Sequence, residues 1–392
     1  MKILQVIPYF PPAYAFGGPV KVAYEVSREL VKRGHEVMVY TSDVKDFKSR
    51  LNVNPFKVKD GIMTHYFHNL TMMSVKKLKL FITPQLILRA KEEVKNFDVI
   101  HLHEYRTFQN IVIRHYACKY GVPYVLQAHG SLLRMSSWRK LKLVYDVLFG
   151  YRLLRDASKV IALSKVEAEQ YRSMCVPKEK IAIIPNGIDL SEYAELPPKG
   201  AFKKKFNIPE DRKILLYLGR IHKIKGIDLL IRAYAYLVKK MNFKDAVLVI
   251  AGPDDGYLKE AKALARALGV YNSSVFTGFL SSEDKLKAFV DADVFVTPSF
   301  YGFPMTFLEA CTVGTPIVTT SLRDTLEWIN GKVGYVTQPT CHDLAEAIYR
   351  IVTDDKLRGK FSRNCIKVVS SDFSLEKVVE RLEKVYEEVV EG

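Results

Sequence analysis

Residues 294–319 read VFVTPSFYGFPMTFLEACTVGTPIVT. The run 294–297 is apolar and β-branched or aromatic, which reads as a short buried strand. A loop carrying Gly302 and Pro304 follows. A helix is expected from near Met305 through 307–313, and residues 316–319 resume as a strand. Strand, loop, helix, strand is the repeating unit of a parallel sheet with helices on its faces. The start of that helix offers unpaired backbone N–H groups and the positive end of a dipole, a seat for phosphate. Glu309 lies one turn inside, placed to accept hydrogen bonds from vicinal hydroxyls such as those of a ribose. Taken alone, the segment reads better as a helix start with a solvated glutamate.

The same rhythm extends in both directions. In the second half, strands are expected at 213–218, 246–250 and 274–276, with helices at 227–239, 257–268 and 284–290. In the first half, strands are expected at 3–7, 36–41, 99–102, 124–127 and 160–163. Residues 20–33 place Val22, Ala23, Val26, Leu30 and Val31 at helical spacing, and Gly34 ends that helix. The architecture repeats, although no residue-level repeat is visible. The stretch ELPPKGAFKKK, 195–205, has the prolines, glycine and lysines of an exposed linker. The expected organisation is α/β: two doubly wound, Rossmann-like domains, 1–195 and 196–373, facing each other across a deep cleft. An acidic amphipathic helix within 374–392 completes the first domain. Ligands of such sheets bind beyond the carboxyl ends of the strands.

Composition narrows the classes. At 392 residues and 48% hydrophobic content, the chain has material for two packed cores; disorder is not expected outside the loop around 47–58. The first residues, MKILQVIPYF, read as a buried strand rather than a leader peptide. No run reaches the roughly 18 apolar residues of a membrane-spanning helix, so a cytoplasmic protein is expected. Five widely spaced cysteines without a CxxC pair suit reduced, buried thiols. The net charge is +16; residues 1–195 carry 30 Lys and Arg against 18 Asp and Glu, a surplus of 12. Such a field favours an anionic partner, whether membrane phospholipid, nucleic acid or a phosphorylated substrate. A lysine-rich surface with no partner explains the charge equally well.

Further stretches carry chemistry. The expected strand at 213–218 runs into Gly219 and Arg220, then Lys225 and Gly226 before a helix. An arginine fork and a lysine point charge there would clamp a diphosphate. After the first strand, a long loop ends in Gly17 and Gly18, where backbone can approach a ligand closely. This is not the GxGxxG fingerprint, which argues against a dehydrogenase. His129 follows the strand 124–127 and is placed to hydrogen-bond a sugar hydroxyl or an acceptor. His101 and His103 form an HxH pair, read as alternating across the strand and as packing or cleft wall rather than metal ligands. Asp291-Ala-Asp293 spells DxD, but it precedes the strand 294–297, at the wrong end for the cleft. It is read as a turn, and no metal site is expected.

In their order along the chain these motifs resemble glycosyltransferase family 4, with the GT-B fold. The resemblance rests on the glycine loop before a helix ending in RGHEV (33–37), His129-Gly130, IALS (161–164) and IPNGID (184–189). It continues through Gly219-Arg220 with Lys225-Gly226, FTG (276–278), DVFVTPS (293–299) and the segment from Gly302 to Glu309. It covers essentially the whole chain. It implies a hexose-type transfer, with retention, from a UDP- or GDP-linked sugar to a hydroxyl of a glycan or lipid-linked acceptor. It further implies that Arg220 and Lys225 hold the diphosphate and that Glu309 holds the ribose. Gly18 would lie against the phosphates and His129 near the donor sugar; the first domain would take the acceptor. Gly219, Tyr301, Gly302, Phe303, Pro304 and Met305 complete the expected donor-binding set. The family motif carries glutamate at both ends of E-x7-E, whereas Tyr301 occupies the first position here. Tyrosine can bond or stack but holds no charge at pH 7, so the donor sugar is left open.

No metal or other cofactor is expected, because the Arg/Lys clamp itself neutralises diphosphate. Two other classes remain: an epimerase or hydrolase of nucleotide sugars on the same fold, and a non-catalytic nucleotide-sugar or nucleic-acid binder. No nucleic-acid motif is present. Within 134–155, Trp138, Leu141, Tyr145 and Leu148 fall on one helical stripe beside Arg139, Lys140 and Lys142. Such a helix suits either a core with one solvated face or peripheral contact with an anionic membrane.

Overall fold

In the computed structural model, which describes residues 1–78, 80–133, 138–299, 303–321 and 326–392, the apolar runs become two sheets. The first contains β1 (Lys2–Val6), β2 (Glu36–Ser42), β3 (Phe56–Lys59), β4 (Ile62–Phe67), β5 (Val99–His103), β6 (Tyr124–Gln127), β7 (Lys159–Ala162) and β8 (Ile181–Ile183). Their order is β3-β4-β2-β1-β5-β6-β7-β8. The second contains β9 (Lys213–Leu218), β10 (Ala246–Ala251), β11 (Ser274–Gly278), β12 (Val294–Thr297), β13 (Ile317–Thr320) and β14 (Gly334–Thr337), ordered β11-β10-β9-β12-β13-β14. Among the described strands every pairing is parallel except that of β3 with β4. The contacts divide the chain into two units, Met1–Gly187 with Leu375–Gly392, and Ile188–Ser374.

Helical crossovers cover both faces of a doubly wound sheet, so its central strands are apolar throughout rather than alternating. Ile214, Leu215 and Leu216 of β9 and Val294, Phe295 and Val296 of β12 are all completely buried. In each sheet the chain starts at a central strand, winds outward one way, then returns and winds the other way. The reversal separates β9 from β12 in one unit and β1 from β5 in the other. At such a reversal the crossovers leave on opposite faces, opening a crevice at the carboxyl ends of the two strands.

Residues 195–199 form the irregular, largely exposed stretch that their composition suggests, whereas 200–205 do not. Gly200 (φ +91°) begins a short helix, Ala201–Lys205, and Phe202 is completely buried. The Asp291 carboxylate fastens this helix by accepting from the backbone N–H of Gly200 (2.6 Å), Phe202 (2.8 Å) and Lys203 (3.0 Å). Ile188, the first residue of its unit, donates its N–H to the Phe373 carbonyl, so the division lies at 187/188 rather than near 195. The last helix, Leu375–Glu391, buries Leu375, Val378, Val379, Leu382 and Tyr386 in the first unit. Arg33 and His35, from the RGHEV motif, both bond the Glu383 carboxylate, at 2.7 and 2.8 Å.

Asp291 is 2% exposed, so its loss leaves three backbone donors without their charged acceptor. Asp291→Ala is expected to cost about 3 kcal/mol and to lower the urea midpoint of the second unit. An unchanged midpoint would show that the anchor is dispensable.

Candidate functional site

β9 ends at Leu218, and Gly219 and Arg220 follow directly across the carboxyl edge of the sheet. Backbone bonds tie them to the loop after β10: Gly219 N–H to Ala251 O (2.9 Å), Ile221 N–H to Pro253 O (2.9 Å) and Asp255 N–H to Ile221 O (3.0 Å). This close approach demands glycine, because a Cβ on Gly252 would stand 1.9 Å from the Gly219 carbonyl oxygen. The Tyr217 hydroxyl donates to the Arg220 carbonyl at 3.0 Å. Asp255 accepts from the Arg220 guanidinium at 2.7 Å, with both side chains well exposed. An exposed ion pair of this kind adds little stability, roughly 0–1 kcal/mol, but it aims the guanidinium.

Lys225 closes the short turn Lys223–Lys225, where His222 Nδ1 accepts from the Ile224 N–H at 3.1 Å. Gly226 (φ +68°) then starts the helix Ile227–Lys239. A Cβ on Gly226 would lie 3.0 Å from the Pro298 side chain, so this turn packs directly on the loop leaving β12. Burial first, and the Arg220 charge second, hold the Lys225 ammonium below the usual lysine range.

β12 continues through Pro298 and Ser299; Tyr301 and Gly302 lie outside the described residues. Pro304 is extended (φ −68°, ψ 126°) and opens the helix Met305–Thr312. The Phe303 ring packs among Trp328 (5.7 Å) and Phe373 (5.4 Å), which ties the helix start to the body of the unit. Glu309 is 4% exposed, and its Oε1 accepts from Lys285 Nζ at 2.6 Å. The carboxylate expected to meet hydroxyls thus also has a cation partner, on the helix Ser282–Asp291. A guanidinium, an ammonium and a helix start therefore flank the carboxyl ends of two adjacent strands, a chemistry suited to a diphosphate. Asp293 lies at the other end of β12, accepting from the Ile214 N–H at 2.9 Å, within 3.5 Å of Lys213 and 3.7 Å of Arg358.

In the first unit, the loop after β1 ends at Gly17 (φ +89°), and Gly18 begins the helix Gly18–Lys32. Tyr9 in that loop stacks on Phe16 at 4.7 Å and donates to Glu104 at 2.5 Å. His129 follows β6 with φ +51°, a conformation that is uncommon outside glycine and needs outside support. The support surrounds it. Ala128 N–H donates to the Tyr171 hydroxyl (3.0 Å), Gly130 N–H to Glu167 (2.6 Å), and the Ser131 hydroxyl to the Ala128 carbonyl (2.5 Å).

His101 and His103 do not alternate across β5. Residues two apart on a strand share a face, and the rings stack 4.1 Å apart, with His103 stacked in turn on His129 at 5.1 Å. Burial pushes His129 and His101 down to about 3 and holds His103 well below the ordinary histidine value. Among the described residues no group of three or more His, Cys, Asp or Glu side chains has the arrangement of a metal site.

Two family models match the chain: Glycosyltransferase Family 4 over residues 16–192 and Glycosyl transferases group 1 over residues 198–368. The chain belongs to glycosyltransferase family 4. Among its relatives is an uncharacterized glycosyltransferase of Methanocaldococcus jannaschii, 29% identical over 100% of this chain and 99% of that protein. Another is a UDP-Gal:α-D-GlcNAc-diphosphoundecaprenol α-1,3-galactosyltransferase of Escherichia coli, 26% identical over 81% of each chain. The crystal structure of Anabaena HepE in complex with UDP superposes with a TM-score of 0.77 at 18% identity, covering 99% of this chain and 100% of that one. The fold of this family 4 enzyme is accordingly GT-B, with a parallel α/β sheet in each unit.

Several residues of this family 4 enzyme carried no readable signal. Asp255, Lys285, Glu167, Gln5 and Tyr386 reach their partners through the fold alone. The three stacked histidines generate a pH prediction. Each is neutral when folded and binds a proton when unfolded below roughly pH 6.5. Their stabilising contribution is therefore complete above that pH and is lost as pH falls toward 3. Each proton steepens the loss by about 1.4 kcal/mol per pH unit. Unfolding followed between pH 6 and 4.5 should show a shallower slope in His103→Gln than in the parent; equal slopes would refute the assignment.

Proposed function

We propose that this family 4 glycosyltransferase moves a hexose-type sugar from a UDP- or GDP-linked donor to a hydroxyl of a glycan or lipid-linked acceptor, with retention of configuration. The observation that carries the reading is the placement of Arg220 and Lys225 at the carboxyl end of β9, packed on the loop by which β12 leads to the helix at Met305. The UDP bound by HepE and the lipid-linked acceptor named for the Escherichia coli relative support it.

As the bond to the sugar breaks, positive charge grows on the ring and negative charge on the departing diphosphate. Arg220 meets the phosphates with a fork and Lys225 with a point charge, while the Met305 helix start adds oriented N–H groups. All three are in place beforehand and stabilise the leaving group without reorganising. Glu309 takes the ribose hydroxyls. The two side-chain cations make a metal ion unnecessary for this step.

The test incubates the purified protein with UDP- and GDP-sugars and candidate acceptors, following nucleoside diphosphate release and sugar transfer by mass spectrometry. Arg220→Ala is expected to slow transfer about 10²–10³-fold, and chelation by EDTA to leave the rate unchanged. Transfer by Arg220→Ala at the parent rate would overturn the clamp. A donor epimerised or hydrolysed without acceptor would favour the alternative chemistry on this fold.

A second observation bears on the acceptor side. The stretch 138–156 forms the helix Arg139–Tyr145, a wider π-type turn at Asp146–Gly150 and the helix Tyr151–Asp156. Residues 134–137 lie outside the described residues. Tyr145 leaves the expected stripe and turns inward, donating toward the carbonyls of Tyr105 (3.3 Å) and Thr107 (3.1 Å). Trp138, Leu141, Val144, Val147 and Leu148 are instead each more than half exposed, beside the exposed cations Arg139, Lys140 and Arg152. No helix among the described residues is long and apolar enough to cross a membrane. An apolar face with a basic margin suits the surface of an anionic bilayer. The protein should co-sediment with vesicles containing anionic phospholipid and be released by high salt. Equal recovery with zwitterionic vesicles would refute the role of the basic margin, and recovery with neither would refute membrane contact.

A further inference from the structure

Gln5 on β1, His101 and His103 on β5, and Tyr386 on the helix Leu375–Glu391 are all completely buried. An unbroken path of hydrogen bonds joins them to His129. The Gln5 side-chain oxygen lies 2.6 Å from His103 Nε2, and His103 Nδ1 lies 2.8 Å from His129 Nε2. On the other branch, Gln5 Nε2 donates to the Tyr386 hydroxyl at 3.3 Å, which lies 2.7 Å from His101 Nδ1.

One amide sets the direction of the protons between Gln5 and His129. An amide oxygen can only accept, so the neutral His103 carries its proton on Nε2. Its Nδ1 is then a lone pair, and the only proton that can fill the contact belongs to His129 Nε2. A neutral imidazole has one N–H, so His129 Nδ1 is left as an acceptor. Tyr386 receives from the Gln5 amino group and shares a second hydrogen bond with His101 Nδ1. Burial keeps the rings neutral, and the Glu167, Tyr171 and Ser131 bonds on either side of His129 stop its backbone from turning the ring over.

We propose that Gln5 and His103 are positioning residues that hold His129 in its Nε2–H tautomer, so that its Nδ1 presents a lone pair to a hydrogen-bond donor, a sugar hydroxyl, and not to a phosphate oxygen. The sugar as occupant rests on the transferase reading above; the tautomer does not. The C-terminal helix, through Tyr386, supplies the hydroxyl that receives from the Gln5 amino group. A phosphate oxygen at the same place would face a lone pair and be repelled.

The tautomer is read directly, with no substrate present, from long-range ¹⁵N–¹H correlations of the histidine-labelled full-length protein at pH 7.5. The His129 signals are assigned by their absence in His129→Gln. A protonated Nε2 and an unprotonated Nδ1 are expected; a protonated Nδ1 means that the Gln5 amide is reversed and overturns the proposal. In the transfer assay, Gln5→Met should lower kcat at least tenfold while nucleoside diphosphate affinity is unchanged. Gln5→Glu, which keeps an oxygen facing His103 Nε2, should restore most of the rate. Equal losses in the two variants would overturn the positioning role even if the tautomer is as stated. Absence of transfer by the parent protein would count against the transferase reading, leaving the spectroscopic result standing.

Discussion

A Cβ on Gly252 would sit 1.9 Å from the Gly219 carbonyl oxygen, and one on Gly226 would press on Pro298 at 3.0 Å. These two backbone approaches join the loops that leave β10, β9 and β12, and the rest of the second unit's site depends on them. A parallel sheet delivers its loops to one edge, but strand spacing alone leaves them apart. Glycine at 252 and 226 removes the side chains that would hold them apart. Arg220 then stands in reach of Asp255, and Lys225 sits against the loop leading toward Met305. The desolvation that draws the lysine below its usual range is the same burial that makes its charge count when an anion arrives.

In the first unit the constraint comes from the far end of the chain. Helix Leu375–Glu391 is anchored by Arg33 and His35 on Glu383 and carries Tyr386 into the core beside Gln5 and His101. The RGHEV motif therefore serves a docking purpose: it fixes the helix whose tyrosine orders the buried path to His129. Glu167 serves the same loop from another side, its two oxygens taking the N–H groups of Gly130 (2.6 Å) and Leu163 (2.7 Å). Burial raises the Glu167 carboxyl while those two bonds oppose the rise. The left-handed backbone at His129 is sustained by this framework and not by local preference.

Much of this was legible beforehand, and what was hidden has physical reasons. Apolar runs bounded by glycine and proline mark β1, β9, β10 and β12 within a residue or two, because strands buried on both faces leave a strong signal. Arg220, Lys225 and Glu309 were legible as residues following strands in a repeating pattern. Their partners Asp255 and Lys285 were not, since an acid or a lysine on a crossover looks the same whether it meets solvent or a site. Residues 195–205 look like a linker by composition, and only the carboxylate of Asp291, far along the sequence, fastens 201–205 of them as a helix. Tyr145 shows the limit of helical stripes: its hydroxyl finds the carbonyls of Tyr105 and Thr107, and the ring lies inward while Leu141 and Leu148 stay exposed. The histidines of β5 follow the strand rule that residues two apart share a face, and their stacking needs only that rule applied.

The central claim is that the crevice at the carboxyl ends of β9 and β12 holds the donor's diphosphate. A crystal structure of the protein soaked with UDP or GDP tests it most directly. The account predicts phosphate oxygens within hydrogen-bond distance of the Arg220 guanidinium and the Lys225 ammonium, with ribose hydroxyls on Glu309. A nucleotide bound elsewhere, with Arg220 still held by Asp255 and Glu309 meeting only Lys285, would contradict it.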